Sequence, residues 1–300
     1  MKNIKGITLA IISSATFGMI ALFSIPLMEE GLGIGSILFY RFLISSIVMG
    51  AICLYRKQSF KIAKQQFIPL VFLGMLYAAT SLLLIHSYEW VPSGIVTTIH
   101  FLYPVLVSII MVVFFKERGS WILFIAAVIS LIGVVFLCWS DTGNIHLVGL
   151  ITASLTILTY ALYIVGVNQT KTGQQMQAEP LTFYILFFSS IMFLGYALMT
   201  EGIQPIPSVS AFARLSALAV LSTVISDLTL VLAIKYIGST ITSILGSMEP
   251  LVAVFIGVLY FSEAFTGYTF LGIILIIFGV YLVIRQSARL KEQREVNRDK

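Results

Sequence analysis

The sequence predicts an all-α membrane protein in which ten transmembrane helices form two inverted five-helix repeats. Three observations predict this fold class. The mean hydropathy is +1.02, and 59% of the 300 residues are apolar while only 10% are charged, which is more apolar surface than a water-soluble domain can bury. Ten apolar runs are long enough to cross a bilayer. In addition, part of the first half of the chain recurs in the second half.

The apolar runs define the expected helices. A bilayer core about 30 Å thick requires roughly 20 helical residues at ~1.5 Å each. Runs of about that length occupy 5–27, 35–55, 67–88, 94–115, 120–139, 147–166, 180–199, 213–234, 239–261 and 266–285. The linkers between them are too short for a soluble domain, so the function is expected to lie within the membrane. The first run is too long for a signal peptide and lacks a small-residue cleavage site, which favours a transmembrane helix.

The basic residues predict the orientation. If the N-terminus is cytoplasmic, sixteen of the eighteen Lys and Arg residues fall on the cytoplasmic side, in the N-terminal segment, in cytoplasmic loops, or in and just before the basic tail 286–300, and only Arg41 and Arg214 do not. This bias predicts that both termini are cytoplasmic and that the membrane is the inner one. The basic residues form no patch with interleaved aromatic residues, so nucleic-acid binding is not expected. Cys53 and Cys138 lie within the runs and predict neither a disulfide framework nor a metal site.

An internal repeat divides the chain. Residues 81–136 align with 227–282 at an offset of 146 without a gap, with 12 identities among 56 pairs. The matched residues that shape a backbone or end a helix are Ser93 and Ser239, Pro104 and Pro250, Glu117 and Glu263, and Gly133 and Gly279. Each half, 1–143 and 144–285, holds an odd number of expected helices, so the second half must enter the membrane upside down. Inverted repeats are typical of secondary transporters that hold substrate near the midplane.

Three segments resemble a known family. FYRFLIS, YPVLVSIIMVVFFKER and MEPLVAVFIGVLYFSEAFTGYTFLGIILIIFGVYLV resemble the EamA-type proteins of the drug/metabolite transporter superfamily, and the resemblance covers about residues 5–285. Its most specific elements are the duplicated Pro-x12-Glu pattern with a glycine sixteen residues later and the Arg–Phe pair of the second run. The resemblance implies ten helices and export of amino acids or other small metabolites. The sequence departs from the usual pattern at His100 and at HSYEW, where the third run ends.

Ionisable residues within the runs are the first site candidates, because each costs at least ~2.5–3.5 kcal/mol at the bilayer centre. Glu249 and Asp227 lie near the midplane of the ninth and eighth runs. Each is interpreted as a substrate-ammonium site or a proton carrier, or as a carboxylate held by polar groups for structure. Arg41 lies two turns from the outer surface. It either extends outward to the headgroups or turns inward toward a carboxylate or an anionic substrate.

Other candidates surround these charges. Pro104 and Pro250 are expected to kink the fourth and ninth helices, which would free the carbonyls of His100 and Gly246; the kinks either serve packing or border a cavity. His100 and His86 are either packing residues or the lining of an exit vestibule. The aromatic candidates for a cavity wall are Tyr103 and Tyr160, together with Tyr163 and Tyr184.

The leading functional hypothesis is a secondary transporter that exports amino acids or similar small metabolites by alternating access. The alternatives are a carrier for uptake or exchange of another metabolite or drug, and a membrane sensor or channel. An enzyme is not expected, because neither H-E-x-x-H nor a Gly-flanked serine nucleophile is present. No catalytic residue, metal or cofactor is expected. The expected partners are a small-molecule substrate and lipid, with protons and a second copy of the chain as further candidates.

Overall fold

The computed structural model describes residues 2–91, 93–117, 120–137, 146–260 and 266–298. Within these ranges the regular structure is entirely helical. In chain order the helices are α1 (Lys2–Phe17), α2 (Ile20–Glu29), α3 (Ile34–Tyr55), α4 (Lys64–Tyr88), α5 (Ser93–His100), α6 (Tyr103–Phe115), α7 (Trp121–Leu137), α8 (Leu147–Gln169), α9 (Lys171–Gln175), α10 (Ala178–Met199), α11 (Val209–Ala219), the π-helical segment Val220–Ile225, α12 (Ser226–Ile237), α13 (Ser239–Leu245), α14 (Met248–Tyr260) and α15 (Gly267–Arg298).

Seven described helices are long and apolar enough to cross a membrane. They are Asn3–Glu29, Ile34–Tyr55, Lys64–Tyr88, Leu147–Gln169, Ala178–Met199, Val209–Ile237 and Gly267–Gln286. Two shorter apolar helices accompany them, Tyr103–Phe115 and Trp121–Phe136. The chain is therefore a multi-pass, all-helical membrane protein, as the hydropathy predicts. The seven long helices coincide with seven of the ten apolar runs, with ends that differ by only a few residues.

The fourth and ninth runs are broken rather than kinked. α5 ends at His100 before α6 begins at Tyr103, and α13 ends at Leu245 before α14 begins at Met248. Pro104 and Pro250 therefore stand in the first turn of a new helix, where the missing N–H has no intrahelical partner to lose. The Gly246 carbonyl, which a kink would have freed, accepts the Glu249 N–H at 2.9 Å. Two turns at membrane depth replace the two expected kinks.

Helix packing follows the repeat. The repeat relates α1 to α8, α3 to α10, α4 to α12, and α7 to α15. α3 packs against its own counterpart α10, and α7 against α15, while α1 packs on α12 just as α8 packs on α4. Exchanging the two halves therefore maps the α3–α10 and α7–α15 contacts onto themselves and the α1–α12 contact onto the α8–α4 contact, as a pseudo-two-fold axis between the repeats requires.

Two bundles result from this packing, and each mixes the two sequence halves. We call α1, α3, α11–α12, α13 and α14 the first bundle, because α1 contacts α12, α13 and α14 while α3 contacts α11. We call α4, α5, α6, α8 and α10 the second bundle, because α8 contacts α4, α5 and α6 while α4 contacts α10. α3 and α10 join the bundles along their length. Neither bundle therefore coincides with residues 1–143 or with residues 144–285.

Two tyrosines show the same symmetry at opposite ends. Tyr40 of α3 donates a hydrogen bond to the Gln204 carbonyl at 2.8 Å. Tyr184 of α10 donates one to the Phe60 carbonyl. Each tyrosine therefore holds the loop that follows the other's helix. Tyr184 lies at the end of its helix away from the other candidate tyrosines.

The charged residues at the helix ends are paired. Arg214, which the orientation rule leaves unexplained, pairs with Glu30. Glu117 accepts a hydrogen bond from Thr240 in the first turn of α13 at 2.7 Å, so one repeated glutamate holds a helix N-terminus of the other half. Its counterpart Glu263, like Cys138, lies outside the described residues.

The repeated glycines permit close helix contact. A Cβ on Gly133 of α7 would lie 2.9 Å from the Gly272 carbonyl oxygen, and a Cβ on Gly279 of α15 would lie 3.0 Å from the Ala126 carbonyl oxygen. Positions 126 and 272 are also related by the offset of 146, so the same contact occurs twice. A methyl group at either site would push the backbone of α7 away from the backbone of α15.

Gly133→Ala and Gly279→Ala are each expected to destabilise the protein by about 1–3 kcal/mol, because overpacking separates α7 from α15. Unfolding in mixed detergent micelles measures the change. Gly195→Ala in α10 is the matched control, since no heavy atom lies within 4 Å of its added Cβ; alanine there is expected to be neutral or to stabilise by up to ~1 kcal/mol. Equal effects at all three positions would contradict the prediction.

Candidate functional site

Six of the candidate residues meet at the interface of the two bundles. Their exposed fractions are Arg41 0%, His100 0%, Asp227 1%, Tyr103 3%, Tyr160 3% and Glu249 7%. Tyr77 and Tyr163 complete the group at 1% and 0%. We call these eight residues the polar centre. They are closed to solvent from both sides of the protein.

Arg41 points into the protein. Its Nε donates to Thr223 Oγ1 at 2.7 Å, and Thr223 in turn donates to the Leu218 carbonyl at 2.9 Å. Within the described part of the chain, Nη1 and Nη2 are buried and have no hydrogen-bond partner. A guanidinium is a planar fork whose two terminal nitrogens match a carboxylate. The two terminal nitrogens of Arg41 are therefore free to donate hydrogen bonds to an anionic group.

The π-helical segment places the residues that surround Arg41. The hydroxyl of Thr223 bonds the carbonyl five residues earlier, and Ser45 of α3 donates to the Ala219 carbonyl at 3.0 Å. These bonds fix α3 against the π-helical segment. π-helical turns inside α-helices often mark functional sites, because the extra residue shifts the following side chains around the helix. Asp227 follows directly after it.

One of the two carboxylate oxygens of Asp227 has a hydrogen-bond partner in the described structure, and the other has none. Tyr163 donates to its Oδ1 at 2.6 Å, whereas Oδ2 is buried without a hydrogen-bond partner among the described residues. The carboxylate interacts electrostatically with Arg41, but no ion pair between the two is present. Tyr77 stacks on Tyr163 with ring centroids 5.0 Å apart, and its buried hydroxyl lies beside the Arg41 guanidinium without a well-formed hydrogen bond.

His100 sits in an aromatic cluster. Its ring lies 6.3 Å from Phe17, 5.2 Å from Tyr103 and 5.1 Å from Tyr160, measured between centroids. His100 Nδ1 is 2.8 Å from Thr156 Oγ1, and Thr156 donates its own hydrogen to the Ala153 carbonyl at 2.5 Å. Thr156 must therefore accept from Nδ1–H. In the neutral ring this leaves Nε2, which is buried and unpartnered, as a hydrogen-bond acceptor.

Glu249 borders the break between α13 and α14. It interacts electrostatically with Tyr103 and Tyr160, and its carbonyl lies against Gly18, where an added Cβ would be 2.5 Å from the oxygen. The Glu249 side chain is itself buried at this break. The turn between α1 and α2, at Gly18, therefore contacts the start of α14.

The repeat is chemically asymmetric at the polar centre. By the 146-residue offset, Glu249 corresponds to Tyr103, and Asp227 corresponds to Ser81. His100 corresponds to Gly246, whose missing side chain is replaced by the hydroxyl of Tyr103. The three candidates Arg41, Asp227 and Glu249 lie on the first bundle, and the histidine and tyrosines lie on the second.

His86 does not join the polar centre. Its side chain is 35% exposed, with Nδ1 2.9 Å from Glu89 and Nε2 2.9 Å from the Tyr196 hydroxyl. It ties α4 to α10 near their ends. Trp90, which follows α4, is 43% exposed and contacts the His146 ring in a tilted arrangement, with ring centroids 4.8 Å apart, as expected of an interfacial anchor.

Three contributors were not predicted from the sequence. Tyr77, Thr156 and Thr223 are uncharged residues of a kind common in transmembrane helices, so nothing in their composition or spacing marks them. Only the contacts with Tyr163, His100 and Arg41 identify them. In the described part of the chain, no group of three His, Cys, Asp or Glu residues is arranged to hold a metal ion.

Comparison with known proteins assigns the family. The model of the EamA-like transporter family matches residues 4–139 and 147–285. The threonine/homoserine exporter RhtA of Salmonella typhimurium strain LT2 is 28% identical over 256 residues, which cover 80% of each chain. RhtA of Escherichia coli K12 is 26% identical over 249 residues, again covering 80% of each. Protein PecM of Dickeya dadantii is 22% identical over 205 residues, or 68% of this chain and 69% of PecM.

A solved structure supports the fold independently. A crystal structure superposes with a TM-score of 0.79 over 95% of this chain and 98% of the other, at 15% sequence identity. At this identity the likeness concerns the fold alone.

Proposed function

The chain belongs to the EamA-like transporter family, and from this premise we propose that it exports amino acids or similar small metabolites across the cytoplasmic membrane by alternating access. That it is a multi-pass membrane transporter follows from the family and the helices. The proposal includes the export direction and the substrate class. It also includes ten membrane crossings in two inverted halves and the cytoplasmic location of both termini.

One observation carries the proposal. Arg41, Asp227 and Glu249 are buried at the depth of two helix breaks and face rings from the other bundle. Ionisable residues inside a membrane protein are retained where they bind or move a polar solute. Broken helices near the midplane are the usual frame of a carrier site. The relatives named as threonine/homoserine exporters make amino acids the first class to test.

The packing supports alternating access between the two bundles. Each bundle is the symmetry image of the other, and the polar centre lies between them. Tilting one bundle on the other about the α3–α10 contact would open the centre to one side while it closes the other. The contacts at the ends of the bundles, such as that between Glu117 and Thr240, would then alternate between formed and broken.

Counterflow in proteoliposomes tests the function. Vesicles loaded with unlabelled L-threonine or L-homoserine are diluted into labelled amino acid, and a carrier transiently accumulates label with saturable kinetics. The other common L-amino acids follow as competitors. Conductance that does not saturate, or no flux of any amino acid, would contradict an amino acid carrier.

Proton coupling is the part of the proposal that a single substitution tests most directly. Glu249 is a buried carboxylate at a helix break between the two bundles, so it is the proposed proton carrier. Glu249→Gln is expected to abolish flux driven by a pH gradient and to retain at least half of the counterflow, because exchange needs no net proton movement. Flux against external pH measures the difference. Glu201→Gln, on an exposed loop, is the matched control. Wild-type pH dependence in Glu249→Gln would contradict the role.

A further inference from the structure

We infer that the polar centre recognises a free zwitterion, with the carboxylate of the substrate on Arg41 and its ammonium group on Asp227. The inference rests on the proposed function and assigns one end of the substrate to each residue. It requires that both charged groups of an amino acid be free.

Arg41 fits the carboxylate end. Its Nε is committed to Thr223, so the remaining donors are those of Nη1 and Nη2, both buried and unpartnered in the described structure. These two nitrogens present parallel N–H groups, the arrangement that binds a carboxylate through two hydrogen bonds. The buried hydroxyl of Tyr77 lies beside the guanidinium, and because a hydroxyl accepts as well as donates, it can face Arg41 and still donate a third hydrogen bond to the carboxylate.

Asp227 fits the ammonium end. Its Oδ1 is committed to Tyr163, which orients the carboxylate and leaves Oδ2 as a buried acceptor. An ammonium group donates in three directions. It can therefore bond Oδ2 and still reach another acceptor in the polar centre, such as His100 Nε2, which the contact with Thr156 leaves as a lone acceptor.

The positions of the two oppositely charged groups favour a ligand that carries both charges. Arg41 and Asp227 attract each other but are not in contact, so a molecule placed between them meets a positive group at one end and a negative group at the other. A zwitterion satisfies both ends and leaves the net charge of the site unchanged. An amine without a carboxylate, or an acid without an amine, leaves one buried charge unmatched.

Competition in the counterflow assay tests the assignment. The probes are the common L-amino acids, each with its methyl ester, which lacks the carboxylate, and its N-acetyl derivative, which lacks the ammonium group. For the amino acid that competes best, both derivatives are expected to compete at least roughly tenfold more weakly. Arg41→Gln should lose the discrimination against the ester, and Asp227→Asn the discrimination against the N-acetyl derivative. Arg214→Gln, whose partner is Glu30, should keep both.

The outcomes separate the two proposals. Saturable counterflow in which the ester or the N-acetyl derivative competes as well as the free amino acid would overturn the zwitterion site and leave the carrier intact. Saturable flux with unchanged discrimination in both variants would overturn the assignment of Arg41 and Asp227. A lack of saturable flux in the wild type would count against the carrier itself. Ratios of inhibition constants are the readout, so lower expression of a variant does not alter the comparison.

Discussion

Asp227→Ala is expected to destabilise the folded protein by about 3 kcal/mol, because it leaves the Arg41 guanidinium buried without an opposing charge. Both side chains are almost completely buried, at 1% and 0% exposed. The alanine also removes the acceptor of the Tyr163 hydroxyl, which then stays buried without a partner. Equilibrium unfolding in mixed detergent micelles measures the loss.

A double-mutant cycle isolates the charge interaction. The cycle uses the single variants Arg41→Met and Asp227→Leu and their combination. The combination removes both charges, so it should be more stable than Asp227→Leu alone and should still fail to transport free amino acids. The outer pair of Arg214 and Glu30 is the matched control, since its side chains are 34% and 31% exposed and such a pair couples by only about 1 kcal/mol or less. If Arg41 and Asp227 prove additive, the two charges do not stabilise each other.

Hydropathy and the cost of burying charge account for what could be predicted. The long helices follow from uninterrupted apolar runs. Arg41, Asp227 and Glu249 were recognisable because a charge at membrane depth has to be satisfied. The offset repeat also predicted that Gly133 and Gly279 have equivalent structural roles, and the fold shows them in the same contact.

Hydropathy and the cost of burying charge do not predict the helix breaks. A proline inside an apolar run is compatible with a kink or with a new helix that starts just before it. The choice depends on whether neighbours satisfy the turn, as Glu249 N–H does for the Gly246 carbonyl. Likewise, His86 and His100 are both single histidines near helix ends, and only tertiary contacts place one at the periphery and the other in the polar centre.

The packing also changes the expected motion. Because α1 packs on α12 and α4 on α8, each bundle contains helices from both sequence repeats. The polar centre has its charges on one bundle and its rings on the other, joined by the hydrogen bond between Tyr163 and Asp227. Movement between the bundles therefore separates the two sides of the site. A substrate that bridges them would couple its own binding to closure.

A covalent link between positions 117 and 240 is expected to stop transport completely and reversibly. The hydrogen bond between Glu117 and Thr240, 2.7 Å long, joins the end of α6 in the second bundle to the start of α13 in the first. Opening the polar centre toward this end must break that contact. Glu117→Cys with Thr240→Cys, in a background without Cys53 and Cys138, can be joined by a bis-methanethiosulfonate reagent. A cavity of about 440 Å³ lined by both residues gives the reagent room.

Flux in proteoliposomes before cross-linking, after it and after reduction measures the effect. The matched control is Arg214→Cys with Glu30→Cys, which replaces an ion pair between α11 of the first bundle and the residue that follows α2; α2 packs on α11, α3 and α14, which all belong to the first bundle. That link should leave flux within about twofold of the uncross-linked variant, because it joins parts that move together. Undiminished flux with positions 117 and 240 fully cross-linked would show that the bundles do not separate there, and would place the opening motion elsewhere in the fold.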